Sequence, residues 1–304
     1  MAAKRDTPRI AVILGSPGVQ AFAGLPLVER FRKHGIPVDL VLGTSGGGLL
    51  AALWGGGYDL EQICGIFAKL DAAGIFADID EMSAASLRTP YGRTGTAQGY
   101  GPSVDGGKGF DAASGLFRGD NLRGAYSIVF KGLRLEELDP LTVLCCTDVT
   151  TGGPVFLESG LVADAVYASG ASYPLLPPAS IRGSLLADGS FCNPLPVLEA
   201  VKRGMDIIVT VSLEDRVAPE PSNILDCFLN MQRISQANLA RSQLFAGINV
   251  HHYEIISIRV PFDEPVGQRD VKKVTDLLRA GRKAVDDRLD EVRAVIEGFS
   301  GPAS

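Results

Sequence analysis

Ser45 is the side chain whose neighbours point most directly to chemistry. It stands in Gly43-Thr44-Ser45-Gly46-Gly47, a Gly-x-Ser-x-Gly spacing that matches a nucleophile elbow. The reason for the spacing is steric. A strand that turns straight into a helix forces its middle residue into strained geometry, and flanking glycines remove the side chains that would collide. The serine hydroxyl then stands at the strand's carboxyl end, above a helix N-terminus. Backbone N–H groups and the helix dipole there favour a developing oxyanion. A glycine-rich turn with an idle serine fits the same five residues, so the flanking elements decide. Val38–Leu42 is apolar and β-branched, as a buried parallel strand requires. Gly46–Trp54 carries Leu49, Leu50 and Leu53 at helical spacing.

A serine hydroxyl needs a base within hydrogen-bond reach. The chain has three histidines, His34, His251 and His252. His34 ends a helix beside Gly35, where a cation suits the dipole. His251 or His252 with Asp188 would give the order Ser, Asp, His of an α/β-hydrolase, although an elbow on the second strand comes early for that fold. The other candidate is Asp188 acting directly. Asp188-Gly189-Ser190 leaves the apolar run Leu185-Leu186-Ala187 in a tight turn, and burial there would raise the carboxyl pKa toward base work. Asp-Gly is also an ordinary turn dipeptide. The residues alone leave both bases open.

The elements that must position these groups alternate. Ile10–Leu14 reads as a first strand, followed by a loop over Gly15–Gln20 and a helix from Phe22 to His34. The elbow strand and its helix come next, a βαβα opening that implies a parallel sheet. The loop after the first strand then lies beside the elbow at the carboxyl ends, where open α/β sheets hold their sites. Further helices are expected over Tyr58–Leu70, Leu122–Phe130, Val162–Ser169, Asn193–Arg203, Asn223–Phe245 and Asp270–Phe299. Strands are expected over Leu141–Cys146, Asp206–Leu213 and Tyr253–Val260, with a hairpin through Gly152-Gly153-Pro154. Tyr173–Pro178 is a proline-fixed crossing. Arg88–Gly119 holds nine glycines and reads as a long surface segment, either a lid or an insertion. The whole chain, 1–304, reads as one unit with a core over about 9–213 and a helix-and-strand extension over 222–300.

Composition narrows the classes. A net charge of −6 argues against nucleic acid and offers no blanket attraction to anionic membranes. Five cysteines, without a C-x-x-C pair, read as reduced thiols of a cytoplasmic protein. Met1–Arg9 is polar, and Ile10–Leu14 is too short for a signal sequence. No apolar run reaches membrane-spanning length, so lipid contact would be peripheral. No cluster has metal-ligand spacing, so neither metal nor cofactor is expected.

Taken together, the elbow, the loop after the first strand, Ala168-Ser169 followed by Pro174 and Pro177, and Asp188-Gly189 ahead of Asn193 and Val197 resemble the patatin-like phospholipases over Ile10–Leu213. The resemblance implies an α/β fold, three-layer α/β/α with a mostly parallel central sheet. It implies a lipid acyl hydrolase with a Ser–Asp dyad, Ser45 as nucleophile and Asp188 as base. Gly43, Gly47 and Gly189 belong to its motifs, and Gly18, Val19 and Gly46 would supply the oxyanion N–H groups. Ala163–Ser169 and the proline segment would line an acyl channel. The sequence departs from the family in two places. The family's Gly-Gly-Gly-x-Arg-Gly loop is here Ser16-Pro17-Gly18-Val19-Gln20-Ala21, in which Pro17 has no N–H and Gln20 replaces the arginine. Ser190 stands where the family carries Gly or Ala. The rivals to a lipid or acyl-ester hydrolase are an acyl-binding protein with a weakened site and an acyltransferase on the same dyad.

Overall fold

A computed structural model describes residues 7–72, 113, 115, 119–215, 224–267 and 270–299, without the side chains of 215 and 224–226. The stretch expected over Arg88–Gly119 lies outside these, apart from Ala113, Gly115 and Gly119.

The apolar runs of the sequence form one sheet. Its strands are β1 (Ile10–Leu14), β2 (Leu40–Thr44), β3 (Leu141–Asp148), β4 (Pro154–Leu157), β5 (Ala179–Ile181), β6 (Ser184–Asp188), β7 (Ile207–Asp215) and β8 (Ile255–Phe262). The order is β5-β6-β3-β2-β1-β7-β8, with β4 also on β3. The β3-β2-β1-β7-β8 pairings are parallel, and those of β4, β5 and β6 are antiparallel.

Alternation along each central strand divides the core in two. Ile10, Val12 and Leu14 of β1 face one cluster with Val41, Val209 and Val211; Ala11 and Ile13 face the other with Leu40, Leu42 and Ile208. Helices cover both faces, which is why these strands read as unbroken apolar runs. On the first face lie α1 (Leu25–Lys33), α2 (Gly46–Gly55), α5 (Val162–Gly170) and α8 (Val274–Glu297). On the second lie α6 (Val197–Lys202) and α7 (Ile224–Val250). The layers are therefore α/β/α. Helices α3 (Leu60–Ala72) and α4 (Asp120–Phe130) add to the first face through Ile63, Phe67 and Phe130.

Several boundaries shift by a few residues from the sequence reading, and two differences have a plain physical reason. The helix expected from Phe22 starts at Leu25, after a 3₁₀ turn over Gly18–Gly24. Pro26 lies in its first turn, where a missing N–H costs nothing. Strand β5 was hidden at the end of the proline crossing, because three residues carry no periodicity.

Register sets the site. Cys145 of β3 pairs with Thr44 and with Phe156, and Cys146 pairs with Val155 and with Asp188. Strand β4 occupies one edge of β3 across both positions. Strands β2 and β6 therefore share the other edge and meet end to end. One arrives at Cys145 and the other at Cys146, so the residues at their tips are neighbours.

Candidate active site

Ser45 has φ 57° and ψ −125°, a strained turn between β2 and α2. Glycines make it possible. A Cβ on Gly43 would lie 2.6 Å from the Gly48 Cα and 2.8 Å from the Ala51 Cβ. One on Gly47 would strike the Leu14 carbonyl, and one on Gly46 would strike Gly18. The elbow is thus pressed against the end of β1 and the loop after it, as the parallel order required. The Gly47 N–H donates to the Ser16 carbonyl at 3.1 Å. Ser16 itself has φ 107°, a conformation non-glycine residues rarely take. It is held by that bond and by the Leu213 N–H, which reaches its hydroxyl at 3.4 Å.

The Ser45 hydroxyl donates to Asp188 Oδ2 at 2.8 Å. Both residues are buried, at 6% and 2% exposure. The other carboxylate oxygen, Oδ1, accepts from the Ser190 N–H at 2.9 Å, and the Ser172 hydroxyl stands 3.4 Å from Oδ2. Burial pushes the Asp188 carboxyl above the usual carboxylate range, against the opposing pull of the Ser190, Ser45 and Ser172 hydrogen bonds. Gly189 passes so close to β3 that a Cβ would strike the Cys145 carbonyl. The Asp-Gly pair is therefore dictated by close approach as well as by turning.

A polar frame surrounds the pair. Ser169 on α5 accepts from the Ser45 N–H at 3.1 Å and donates to the Cys145 carbonyl at 2.7 Å. Thr147 donates to the Asp188 carbonyl at 2.8 Å and stands 3.1 Å from Cys192 Sγ. Gln236 on α7 donates to the Ser190 hydroxyl at 2.8 Å. Ser190, where the sequence departs from the family, is thus the link between α7 and the carboxylate. A hydrogen bond with Cys145 lowers the Cys192 thiol to about 7, while the same contact and burial hold Cys145 well above the ordinary thiol value.

The structure brings Ser45, Asp188, Gly43, Gly46, Gly47, Gly18, Val19 and Gly189 into one neighbourhood. It does not bring the histidines there. His251 bonds the Asp206 carbonyl at 2.9 Å, at the start of β7 and so at the opposite end of the sheet. His34 closes α1. Gln20 is buried and donates to the Val266 carbonyl at 2.7 Å. Sequence reasoning missed Ser172, Thr147 and Gln236. The signal for Gln236 was a polar residue on a helical stripe with Leu229, Arg233, Ala240 and Gln243. Among the described residues no group of three or more His, Cys, Asp or Glu could hold a metal ion. No helix of theirs is long and apolar enough to cross a membrane.

Fold and elbow together define a three-layer α/β/α protein with a serine on its strand-to-helix turn. A model of the patatin-like phospholipases matches residues 12–201, and the chain belongs to that family. It is similar to Lysophospholipase NTE1 of Scheffersomyces stipitis, 25% identical over 217 residues, which are 71% of this chain and 12% of that one. It is also 24% identical over 208 residues to an uncharacterised NTE family protein of Mycobacterium bovis, covering 68% of this chain and 50% of that one. The chain thus spans half or less of these curated relatives. Among solved structures, VipD from Legionella pneumophila aligns over 95% of this chain and 68% of its own, at 14% identity and a TM-score of 0.48.

Proposed function

We propose that the protein is a serine hydrolase of lipid acyl esters working through a Ser45–Asp188 dyad. The observation that carries the reading is the 2.8 Å bond from the Ser45 hydroxyl to a buried carboxylate. Asp188 accepts the proton as Ser45 attacks the ester carbonyl, and an acyl-enzyme forms as the alcohol leaves with that proton. Water, deprotonated by the same carboxylate, then releases the acid. The N–H groups of Gly18, Val19 and Gly46 stabilise the oxyanion; Gly47 is already bonded to Ser16. A raised carboxyl pKa suits a base. Family membership and the lysophospholipase named among the relatives support a lipid ester as substrate.

Pro17 favours a second reading. It replaces an N–H donor in the oxyanion loop, and loss of one donor costs ~3–4 kcal/mol of transition-state stabilisation. On that reading the chain binds acyl groups without turning them over. A fluorophosphonate probe separates the two. A hydrolase is labelled at Ser45, and both Ser45→Ala and Asp188→Asn lower ester hydrolysis about a thousand-fold or more. Full activity of Ser45→Ala would remove the dyad reading. An acceptor alcohol added to the assay distinguishes transfer from hydrolysis.

A further inference from the structure

We infer that a cleft beside the dyad is a subsite for a phosphate group carried by the substrate, gripped by Arg233, Arg241 and Arg259. The assignment rests on the hydrolase reading for its place in a reaction, but the binding it requires can be tested alone. The cleft has a volume of about 290 Å³. It opens at the carboxyl ends of β1 and β7. The chain runs from β1 to β2 on one side, while β7 lies on the other. Such a reversal leaves a crevice above the sheet, the usual ligand position in open α/β folds.

Two walls are shared with the dyad. One is Ser16 and Pro17, from the segment pressed on the elbow; the other is Ser190, whose N–H holds Asp188. The cleft and the dyad thus share these residues as a common wall. Among the described residues the lining carries Arg233, Arg241 and Arg259 together with one acid, Glu214, in a chain whose net charge is −6. Glu214 lies 3.6 Å from Arg259 and offsets it in part. Arg233 and Arg241, eight residues apart on α7 and about 12 Å along its axis, both line this cleft. Guanidinium groups bind phosphate oxygens in paired hydrogen bonds, and concentrated positive charge in a cleft attracts anions. Beside the arginines the cleft is lined by Leu195, Leu213, Ile234 and Leu244, which suit the apolar part of the same molecule.

The test compares two esters with one acyl chain, a lysophosphatidylcholine and the matching monoacylglycerol, which differ by the phosphoryl headgroup. In Arg233→Gln/Arg241→Gln the kcat/KM ratio of the first to the second should fall at least ten-fold, mainly through KM. Arg233→Lys/Arg241→Lys should recover part of it. An unchanged ratio overturns the subsite and leaves the dyad standing. If the natural protein hydrolyses neither ester, the hydrolase reading fails, and calorimetry with glycerol 3-phosphate and inorganic phosphate judges the cleft. Saturable binding weakened at least ten-fold by the double Gln variant supports it, with the tighter ligand showing whether the glycerol is recognised. Binding that is absent, or equal in the variant, overturns it.

Discussion

The two flanks of β1 are built on opposite plans. Toward β2, glycine backbones touch without room for a methyl group, and the groups around Ser45 and Asp188 are buried and mutually hydrogen-bonded. Toward β7, the surface opens into a cleft with arginines on its rim. The difference teaches where each property must live. On the proposed function, nucleophile and base have to be held within a fraction of an ångström, which needs close packing. The proposed subsite has to meet an anion with charges still reachable from water, which needs an open wall.

The largest expected effect comes from breaking the closed flank. Gly47→Ala drives a Cβ into the Leu14 carbonyl at the end of β1, where backbone on both sides cannot yield. A loss of about 4 kcal/mol or more is expected, read by urea denaturation, with activity lost alongside. Wild-type-like stability would mean that the closed flank is looser than described.

Asp188→Asn comes next. Hydrolysis should drop about a thousand-fold, since both the base and the orientation of Ser45 change. The pH dependence carries a sign. The folded-state pKa of Asp188 is raised above 3.8, so the folded protein holds the proton more tightly than the unfolded chain. Stability should therefore fall as pH rises from the unfolded carboxyl value through the raised folded one, while activity rises through that folded value. Melting curves across acidic pH should lose this contribution in Asp188→Asn. An unaltered profile would place the carboxylate in ordinary solvent.

The smallest effect is expected where the two flanks join. Gln20→Leu removes the buried side-chain bond from Gln20 to the Val266 carbonyl. A destabilisation of about 1–3 kcal/mol is expected from denaturant titration, with the Ser45–Asp188 bond intact. A larger loss of probe labelling at Ser45 than of stability would mean that the loop also aligns the elbow.

The sheet was legible because its central strands are apolar on both faces: Asp206–Leu213 overlaps β7, and Val38–Leu42 overlaps β2 over Leu40–Leu42. The elbow was legible because its glycines and serine stand between a strand-like and a helix-like run. The frame was not. Ser169 and Thr147 act through bonds to backbone carbonyls, which no side-chain pattern announces. The cleft was invisible for a related reason: Arg259 and the arginines of α7 belong to separate elements, and only the β1–β7–β8 order sets them opposite one another.

Strand β3 acts as a ruler. Ser45 and Asp188 are separated by 143 positions in the chain, yet their spacing is fixed by one peptide unit, Cys145 to Cys146. Assembly of the centre therefore waits for a parallel and an antiparallel pairing on the same edge, both closing long loops, which is slow. On the proposed function, regained turnover during refolding would report the joining of both strands to β3.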